Sequence, residues 1–253
     1  MKTIVLAAGY ATRLYPLTEN FPKPLLEIGH NTILGRLLDD VDGIPEVDGH
    51  VIVTNGKFAP MFEKWSEERE ATVSGATLSS DRKPITVLSD GTFTNVTRLG
   101  AVCDLLLAMD KLKIDDDLLV LAADNILDFS LRGFVEEFHR KGTSMIMCHH
   151  EPEVYKLQRT GVIEVDDDFR VLQMQEKPQE PVSHWAVPPF YIYRREDLDL
   201  VRGAIAGGCG TDAPGSLARY MAGKTVLHAW PMPAGRFDIG SLDTYEQAKL
   251  KYK

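Results

Sequence analysis

The chain reads as an α/β protein built on a Rossmann-like open sheet with helices on both faces. Three observations predict this. Apolar runs of strand length recur through the first 150 residues, amphipathic stretches of helical length lie between them, and the first apolar run ends in a glycine loop. Strands that are apolar at every position are buried on both faces, as the strands of a parallel sheet are, and the covering layers are the intervening helices.

The elements follow in order. Thr3-Ile4-Val5-Leu6-Ala7 is the first strand. Thr32 to Val41 carries Ile33, Leu34, Leu37, Leu38 and Val41 at helical spacing, so one face of a helix is apolar. His50 to Thr54 is the next strand, and Leu118 to Ala122 and Ser144 to Cys148 are two more. Leu99 to Leu112 and Leu131 to Phe138 have the helical pattern. After residue 150 the pattern changes. Gly161 to Val165 and Phe169 to Met174 flank Asp166-Asp167-Asp168, which reads as a hairpin with a solvated acidic turn. Trp185 to Tyr193 contains a strand ending at Tyr191-Ile192-Tyr193, Asp197 to Ala206 reads as a helix, and Gly207 to Gly210 as a loop. The last helix runs from Leu242 to Lys251, with Ser241 or Asp243 near its cap. There is no internal repeat and no low-complexity linker.

At 253 residues, a single large domain is the simplest organisation. A net charge of −9 opposes a general nucleic-acid binder, which carries a basic stripe. Cys103, Cys148 and Cys209 lie far apart, which excludes a disulfide framework and a paired-cysteine zinc site and suits a reducing cytoplasm. The first residues enter a strand directly rather than an export signal, and no apolar run has the length of a membrane span. The expectation is a cytoplasmic protein without membrane contact. Nothing in the sequence opposes a homo-oligomer.

The loop after the first strand is Ala8-Gly9-Tyr10-Ala11-Thr12-Arg13-Leu14, and a second cation follows in Phe21-Pro22-Lys23-Pro24-Leu25, ten residues beyond Arg13. Small residues let backbone N–H groups approach an anion closely. Arg13 can bind two phosphate oxygens at once, Lys23 is a mobile point charge, and Pro22 and Pro24 restrict the backbone around it. The loop is neither the three-glycine dinucleotide fingerprint nor a P-loop, since no Gly-Lys-Ser/Thr follows. By itself it fits a plain strand-to-helix turn with two surface cations equally well.

Further along lie candidate partners for a polyphosphate. Asp124 follows the strand Leu118–Ala122, where ligands of open α/β sheets bind. It fits one half of a Mg²⁺ site and, equally, an N-cap for a helix around Ser130–Arg140. Asp238 sits in Gly235-Arg236-Phe237-Asp238-Ile239-Gly240. A carboxylate among apolar neighbours needs a partner, and a metal, Arg236 or backbone N–H groups would each serve. Glu176 and Lys177 end the hairpin in Gln173-Met174-Gln175-Glu176-Lys177-Pro178. On a strand they point to opposite sides; on an irregular segment both can face one cleft, and an exposed ion-rich turn fits too. Asn95-Val96-Thr97-Arg98-Leu99-Gly100-Ala101 opens the helix from Leu99.

Taken together these segments resemble the sugar-1-phosphate nucleotidylyltransferases. The resemblance is carried by Leu6-Ala7-Ala8-Gly9-x-x-Thr12-Arg13-Leu14-x-Pro16-Leu17-Thr18, then Pro22-Lys23-Pro24-Leu25-Leu26-x-Ile28, Ala122-Ala123-Asp124-Asn125, Glu176-Lys177-Pro178, and Phe237-Asp238-Ile239-Gly240-Ser241-x-Asp243-x-Tyr245, in the correct order. It implies an open mixed sheet of the nucleotide-diphospho-sugar transferase type, with a small β-rich acceptor-binding subregion. It divides the single domain at about residue 130 into a nucleotide-binding half and an acceptor-binding half. It implies an enzyme that moves a nucleotidyl unit from a nucleoside triphosphate to a sugar 1-phosphate or similar small phosphorylated acceptor and releases pyrophosphate.

By this resemblance Leu6, Ala7, Ala8, Gly9, Thr12, Arg13, Lys23, Gly100 and Asp124 bind nucleotide, with Arg13 and Lys23 catalytic, and Arg98, two residues before Gly100, is a further nucleotide-binding candidate. Arg98 lies outside the common pattern; a base carbonyl, a phosphate or solvent would each suit it. Asp124 and Asp238 share one Mg²⁺. Glu176, Lys177 and Tyr191 bind the acceptor. The chain departs from the family pattern at Ala8, Ala11 and Ala123, where glycine is usual. If position 11 requires positive φ, the loop follows a different path. It departs again at Val187-Pro188-Pro189-Phe190-Tyr191, which narrows the acceptor pocket. A cytidylyltransferase for phosphocholine or an aminoalkylphosphonate is the alternative acceptor reading. A GT-A-type glycosyltransferase is disfavoured because Asp115-Asp116-Asp117 precedes its strand. A non-catalytic nucleotide-sensing paralogue is disfavoured because the charged residues are all retained.

Overall fold

A computed structural model of the chain describes residues 1–71 and 82–253. In chain order its first elements are β1 (Lys2–Leu6), β2 (Glu27–Ile28), β3 (Asn31–Thr32), α1 (Ile33–Asp42), β4 (Gly49–Thr54), α2 (Ala59–Ala71) and β5 (Ile85–Ser89). Next come α3 (Ala101–Lys111), β6 (Leu118–Ala122), β7 (Asn125–Leu127), α4 (Arg132–Lys141), β8 (Ser144–His150) and α5 (Val154–Leu157). Then follow β9 (Gly161–Val165), β10 (Val171–Glu176), β11 (Trp185–Val187), β12 (Phe190–Tyr193), α6 (Leu198–Gly203) and α7 (Pro214–Ala222). The chain closes with β13 (Leu227–Pro231), β14 (Arg236–Asp238) and α8 (Leu242–Lys251).

These elements form two compact units. Residues 1–98, 122–132 and 234–253 make the first, and residues 99–121 and 133–233 the second. The units are discontinuous in sequence, and the segment carrying Asp238 belongs with the N-terminal one.

In the first unit β4 pairs in parallel with β1 on one side and with β5 on the other. The predicted apolar strand and amphipathic helix account for its core: Val5, Leu34, Leu38 and Ile52 pack with Tyr10, Leu25, Phe58, Phe62 and Ala123. A second cluster joins Leu14, Leu26, Ile28 and Ile33 to Ile126, Ile239, Tyr245 and Ala248, so the C-terminal α8 closes over residues just after the glycine loop. Ser241 caps α8, its hydroxyl accepting from the Thr244 N–H, as the sequence predicts.

In the second unit the sheet is largely antiparallel. β12 lies between β6 and β8 and is antiparallel to both. β11 pairs with the end of β8 and with β9, and β9 pairs with β10 in the predicted hairpin. The expected single strand from Trp185 to Tyr193 is therefore two. Pro188 and Pro189 have no N–H for a ladder, and the chain uses them to pass from one side of β8 to the other.

The sequence pattern misses α2 because its buried face carries Ser66 and Arg69 beside Ala59 and Phe62, which erases apolar periodicity. It misses α7 because Pro214-Gly215-Ser216 continues the glycine cluster, although proline suits the first turn of a helix.

Arg69 is buried because it has a buried partner. Asp42, at the end of α1, accepts from His50 Nε2 at 2.8 Å, from Arg69 at 2.8 Å and from the Lys83 N–H at 2.9 Å. Burial pushes the Asp42 carboxyl up, but the hydrogen bonds from His50 and Lys83 and the charges of His50 and Arg69 prevail and hold it below the usual carboxylate range. A depressed folded-state pKa adds stability that is present above the unfolded value and is lost as pH falls through the folded one. Asp42→Ala should therefore destabilise the fold by about 3–5 kcal/mol in urea titrations at neutral pH, and the gap from the natural chain should close below about pH 4. A loss under about 1 kcal/mol would show that the network is dispensable.

Candidate active site

β1 ends at Leu6 and delivers the loop. Ala7 and Ala8 are buried and Gly9 is exposed. The Ala8 carbonyl accepts from Asn55 Nδ2 at 3.1 Å, and Asn55 Oδ1 accepts the Phe58 N–H at 3.0 Å, so the loop is tied to the start of α2. Ala11 has φ 46° and ψ 43°. The expectation that alanine would divert the path is corrected: Ala11 adopts the left-handed conformation at a cost of about 1–2 kcal/mol. Its carbonyl accepts from the Leu14 N–H at 2.9 Å and from Thr18 Oγ1 at 2.8 Å. Leu14 is driven into the core while Thr12 and Arg13 stay exposed.

Lys23 is not the mobile point charge its sequence context suggests. Pro22 is extended, Lys23–Leu25 forms a 3-10 turn, and Leu25 enters the core. The Lys23 side chain is only 8% exposed, and its Nζ lies 3.0 Å from Asp124 Oδ2. Asp124 follows β6 and leads directly into β7. It is not a helix cap: α4 begins at Arg132, whose N–H is taken by Ser130 Oγ at 3.1 Å.

The second carboxylate arrives through β14. Asp238 is in register with Asn125 of β7, and the Ile239 N–H donates to the Asp124 carbonyl at 3.1 Å. Crowding by surrounding atoms raises the Asp238 carboxyl above the usual range, and the charge of Asp124 raises it further, against the pull of Lys23, Arg236 and Arg13. Solvent still reaches the side chain. A Cβ placed on Gly240 would lie 3.8 Å from Asp238 Oδ2 and 3.9 Å from Arg13 Nη1, so Arg13 and Asp238 border the same small residue. Among the described residues no group of three or more His, Cys, Asp or Glu is gathered. Two mutually repelling carboxylates nonetheless fit a hard cation such as Mg²⁺, which takes one or two carboxylates and fills its other positions with water and phosphate oxygens.

In the second unit Glu176 ends β10. Its Oε2 is buried without a hydrogen-bond partner among the described residues. The carboxylate occupies space left by two glycines: a Cβ on Gly215 would lie 2.0 Å from Oε2 and one on Gly161 3.3 Å from it. Burial raises the Glu176 carboxyl above the usual range, with Lys177 and Arg219 opposing. A cavity of about 480 Å³ is lined by Glu176, Met174, Gln179 and Arg219 among others. Lys177 leaves the strand in a left-handed conformation, φ 49°, with its N–H on the Thr160 carbonyl at 3.0 Å. Strand alternation therefore does not extend past Glu176.

A family model described as nucleotidyl transferase matches residues 2–253. The chain belongs to this family. The chain is 30% identical to mannose-1-phosphate guanyltransferase beta-B of Xenopus laevis, over 80% of this chain and 52% of that protein. It is 29% identical to the bifunctional protein GlmU of Methanococcus aeolicus, over 79% of this chain and 42% of that one. It thus spans about half the length of these relatives or less. The UTP–glucose-1-phosphate uridylyltransferase AglF of Haloferax volcanii matches end to end, at 25% identity over 99% of this chain and 96% of its own. A solved UDP-glucose pyrophosphorylase complexed with UDP-glucose superposes with a TM-score of 0.80 at 20% identity, over 99% of this chain and 97% of that one. That likeness shows the expected fold type.

The remaining predicted residues fall at several places in the two units. Leu6 closes β1. Arg98 is exposed and donates to the Asn95 carbonyl and side chain at 3.3 Å. Gly100 has φ +94°, and a Cβ there would meet the Thr211 carbonyl oxygen at 2.5 Å; the α3 N-terminus docks there, with the Ala101 and Val102 N–H groups on the Asp212 and Thr211 carbonyls. Tyr191 is buried in β12 and stacks on Tyr193 at 6.1 Å. β8, β11 and β9 lie between it and the strand of Glu176, so the structure does not bring Tyr191 to Glu176 and Lys177. Sequence reasoning passed over Arg219, which faces Glu176 from α7, and gave no role to Asn125. The only signal for Asn125 is its place directly after Asp124. Gly100→Ala combines a backbone conformation (φ 94°, ψ 153°) that is essentially restricted to glycine with a backbone clash and should destabilise by about 2–4 kcal/mol, read as lost hydrogen-exchange protection in α3. Unchanged protection would contradict the docking.

Proposed function

We propose that this chain transfers a nucleotidyl unit from a nucleoside triphosphate to a sugar 1-phosphate or similar small phosphorylated acceptor. The observation that carries this reading is the gathering of Arg13, Lys23, Asp124 and Asp238 around the glycine loop of one compact unit. The family match and relatives named for uridylyl and guanylyl transfer to sugar phosphates support it.

In the reaction an acceptor phosphate oxygen attacks the α-phosphorus, the bond to the bridging β-phosphate oxygen breaks, and pyrophosphate leaves. The attacking oxygen is already anionic, so no general base is needed. The residues position the reactants and neutralise charge. Backbone N–H groups of the loop from Ala8 to Thr12 and the exposed Arg13 hold the triphosphate. Lys23, buried and oriented by Asp124, presents a fixed positive charge. Asp124 and Asp238 would hold Mg²⁺, which supplies charge neutralisation for the two reacting phosphates. In the second unit Glu176 accepts hydrogen bonds from acceptor hydroxyls, and Lys177 meets the acceptor phosphate.

A pyrophosphate-release screen of four triphosphates against sugar phosphates, phosphocholine and aminoethylphosphonate tests the reaction and separates the acceptor classes. Turnover should require one triphosphate and a sugar phosphate. Release only with phosphocholine or the phosphonate would replace the sugar reading, and no release with any pair would overturn the enzyme reading. Asp124→Asn should lower kcat about 10²- to 10³-fold. Lys177→Ala should raise KM for the acceptor roughly ten- to hundredfold while leaving KM for the triphosphate near its original value.

A further inference from the structure

Both oxygens of Asp124 are already engaged, and by different kinds of donor. Oδ2 faces the Lys23 ammonium at 3.0 Å, and Oδ1 accepts from Asn125 Nδ2 at 2.7 Å. Asn125 is only 2% exposed. Its other amide atom, Oδ1, accepts from Arg236 Nη1 at 2.6 Å. An asparagine amide can rotate by half a turn and exchange its oxygen and nitrogen with little change of shape. Arginine has only donors, so Arg236 forces the amide oxygen toward itself and the Nδ2 toward Asp124. The strand geometry makes this contact available. β14 pairs antiparallel with β7, placing Asp238 opposite Asn125 and Arg236 opposite Leu127, and residues two apart on a strand share a face. Arg236 and Asp238 thus reach the same side from one strand, one toward the amide and the other toward the carboxylate site. The Arg236 Nε remains buried without a hydrogen-bond partner among the described residues, so the site keeps a partly unsatisfied guanidinium in place.

We propose that Arg236 and Asn125 form a relay that positions the Asp124 carboxylate for a divalent cation, rotating it so that one oxygen stays committed to the amide and the other is directed to the side shared with Lys23. Neither residue touches substrate, so both are positioning residues. The proposal rests on the reading of Asp124 and Asp238 as the metal ligands. It has a sign that simple electrostatics does not share. Arg236 is a cation near the pair, so deleting its charge should tighten binding of another cation if charge alone mattered. If the relay operates, deleting it frees the amide to rotate and weakens binding, as loss of an outer hydrogen-bond partner does by about ten- to hundredfold.

The test is titration of the whole chain with Mn²⁺ alone, read by electron paramagnetic resonance, alongside a urea melt of each variant. The natural chain should bind one strongly held Mn²⁺ and Asp124→Asn should lose it. Arg236→Gln should weaken Mn²⁺ at least about tenfold and Asn125→Ala about ten- to hundredfold. In the Asn125→Ala background, Arg236→Gln should bring no further weakening, because Arg236 acts through the amide. Absence of Mn²⁺ binding by the natural chain, or unchanged binding by Asp124→Asn, would overturn the metal reading and the relay with it. Loss in Asp124→Asn together with unchanged or tighter binding in Arg236→Gln would overturn the relay alone. Should Asn125→Ala not fold, Arg236→Gln still decides by the sign of its effect.

Discussion

Asp124 and Asp238 lie close enough in the first unit for the charge of Asp124 to raise the Asp238 carboxyl, and Lys23, Arg13 and Arg236 oppose that repulsion. One carboxylate comes from the end of β6 and the other from β14, more than a hundred residues later. The β7–β14 pairing and the bond from the Ile239 N–H to the Asp124 carbonyl hold them together. Lys23 is buried against Asp124 and balances part of the charge, and Arg13 and Arg236 act on Asp238 from nearby. A buried ammonium with one carboxylate partner is costly to desolvate. Its retention at the loop is intelligible if the pair receives a polyphosphate and a metal ion, which redistribute the same charges.

Left-handed backbone occurs in both segments proposed to meet substrate. Ala11 in the glycine loop and Lys177 after Glu176 are both left-handed, a conformation that costs a non-glycine residue about 1–2 kcal/mol. Such residues persist where surrounding structure over-determines them, and they cluster at functional sites. At Ala11 the surrounding structure is visible: the Leu14 N–H and the Thr18 hydroxyl both hold its carbonyl. At Lys177 it is the Thr160 carbonyl that fixes the N–H. Glu176 presents a different kind of tension, a buried oxygen without a hydrogen-bond partner among the described residues, resting where two glycines leave room.

The sequence by itself determined the apolar strands, the amphipathic helices, the hairpin and the order of the charged motifs, because each rests on local periodicity or on residue type. It also offers Arg13, Lys23, Asp124, Glu176, Lys177 and Asp238 as candidates for the chemistry. Only the tertiary structure decided their relationships. Lys23 reads as a mobile charge along the chain, and only its partner 101 residues away shows it to be fixed. Tyr191 reads as an acceptor contact until three intervening strands separate it from Glu176. The contact between Arg236 and Asn125 carries no local signal, since an amide has an orientation only when donors from another strand set it. α2 stayed hidden because its buried arginine is matched by Asp42 from a different helix. Local sequence specifies what a residue can do. Which partner it meets depends on strand pairing between segments far apart in the chain, and here that pairing brings the two carboxylates, the lysine and the relay together.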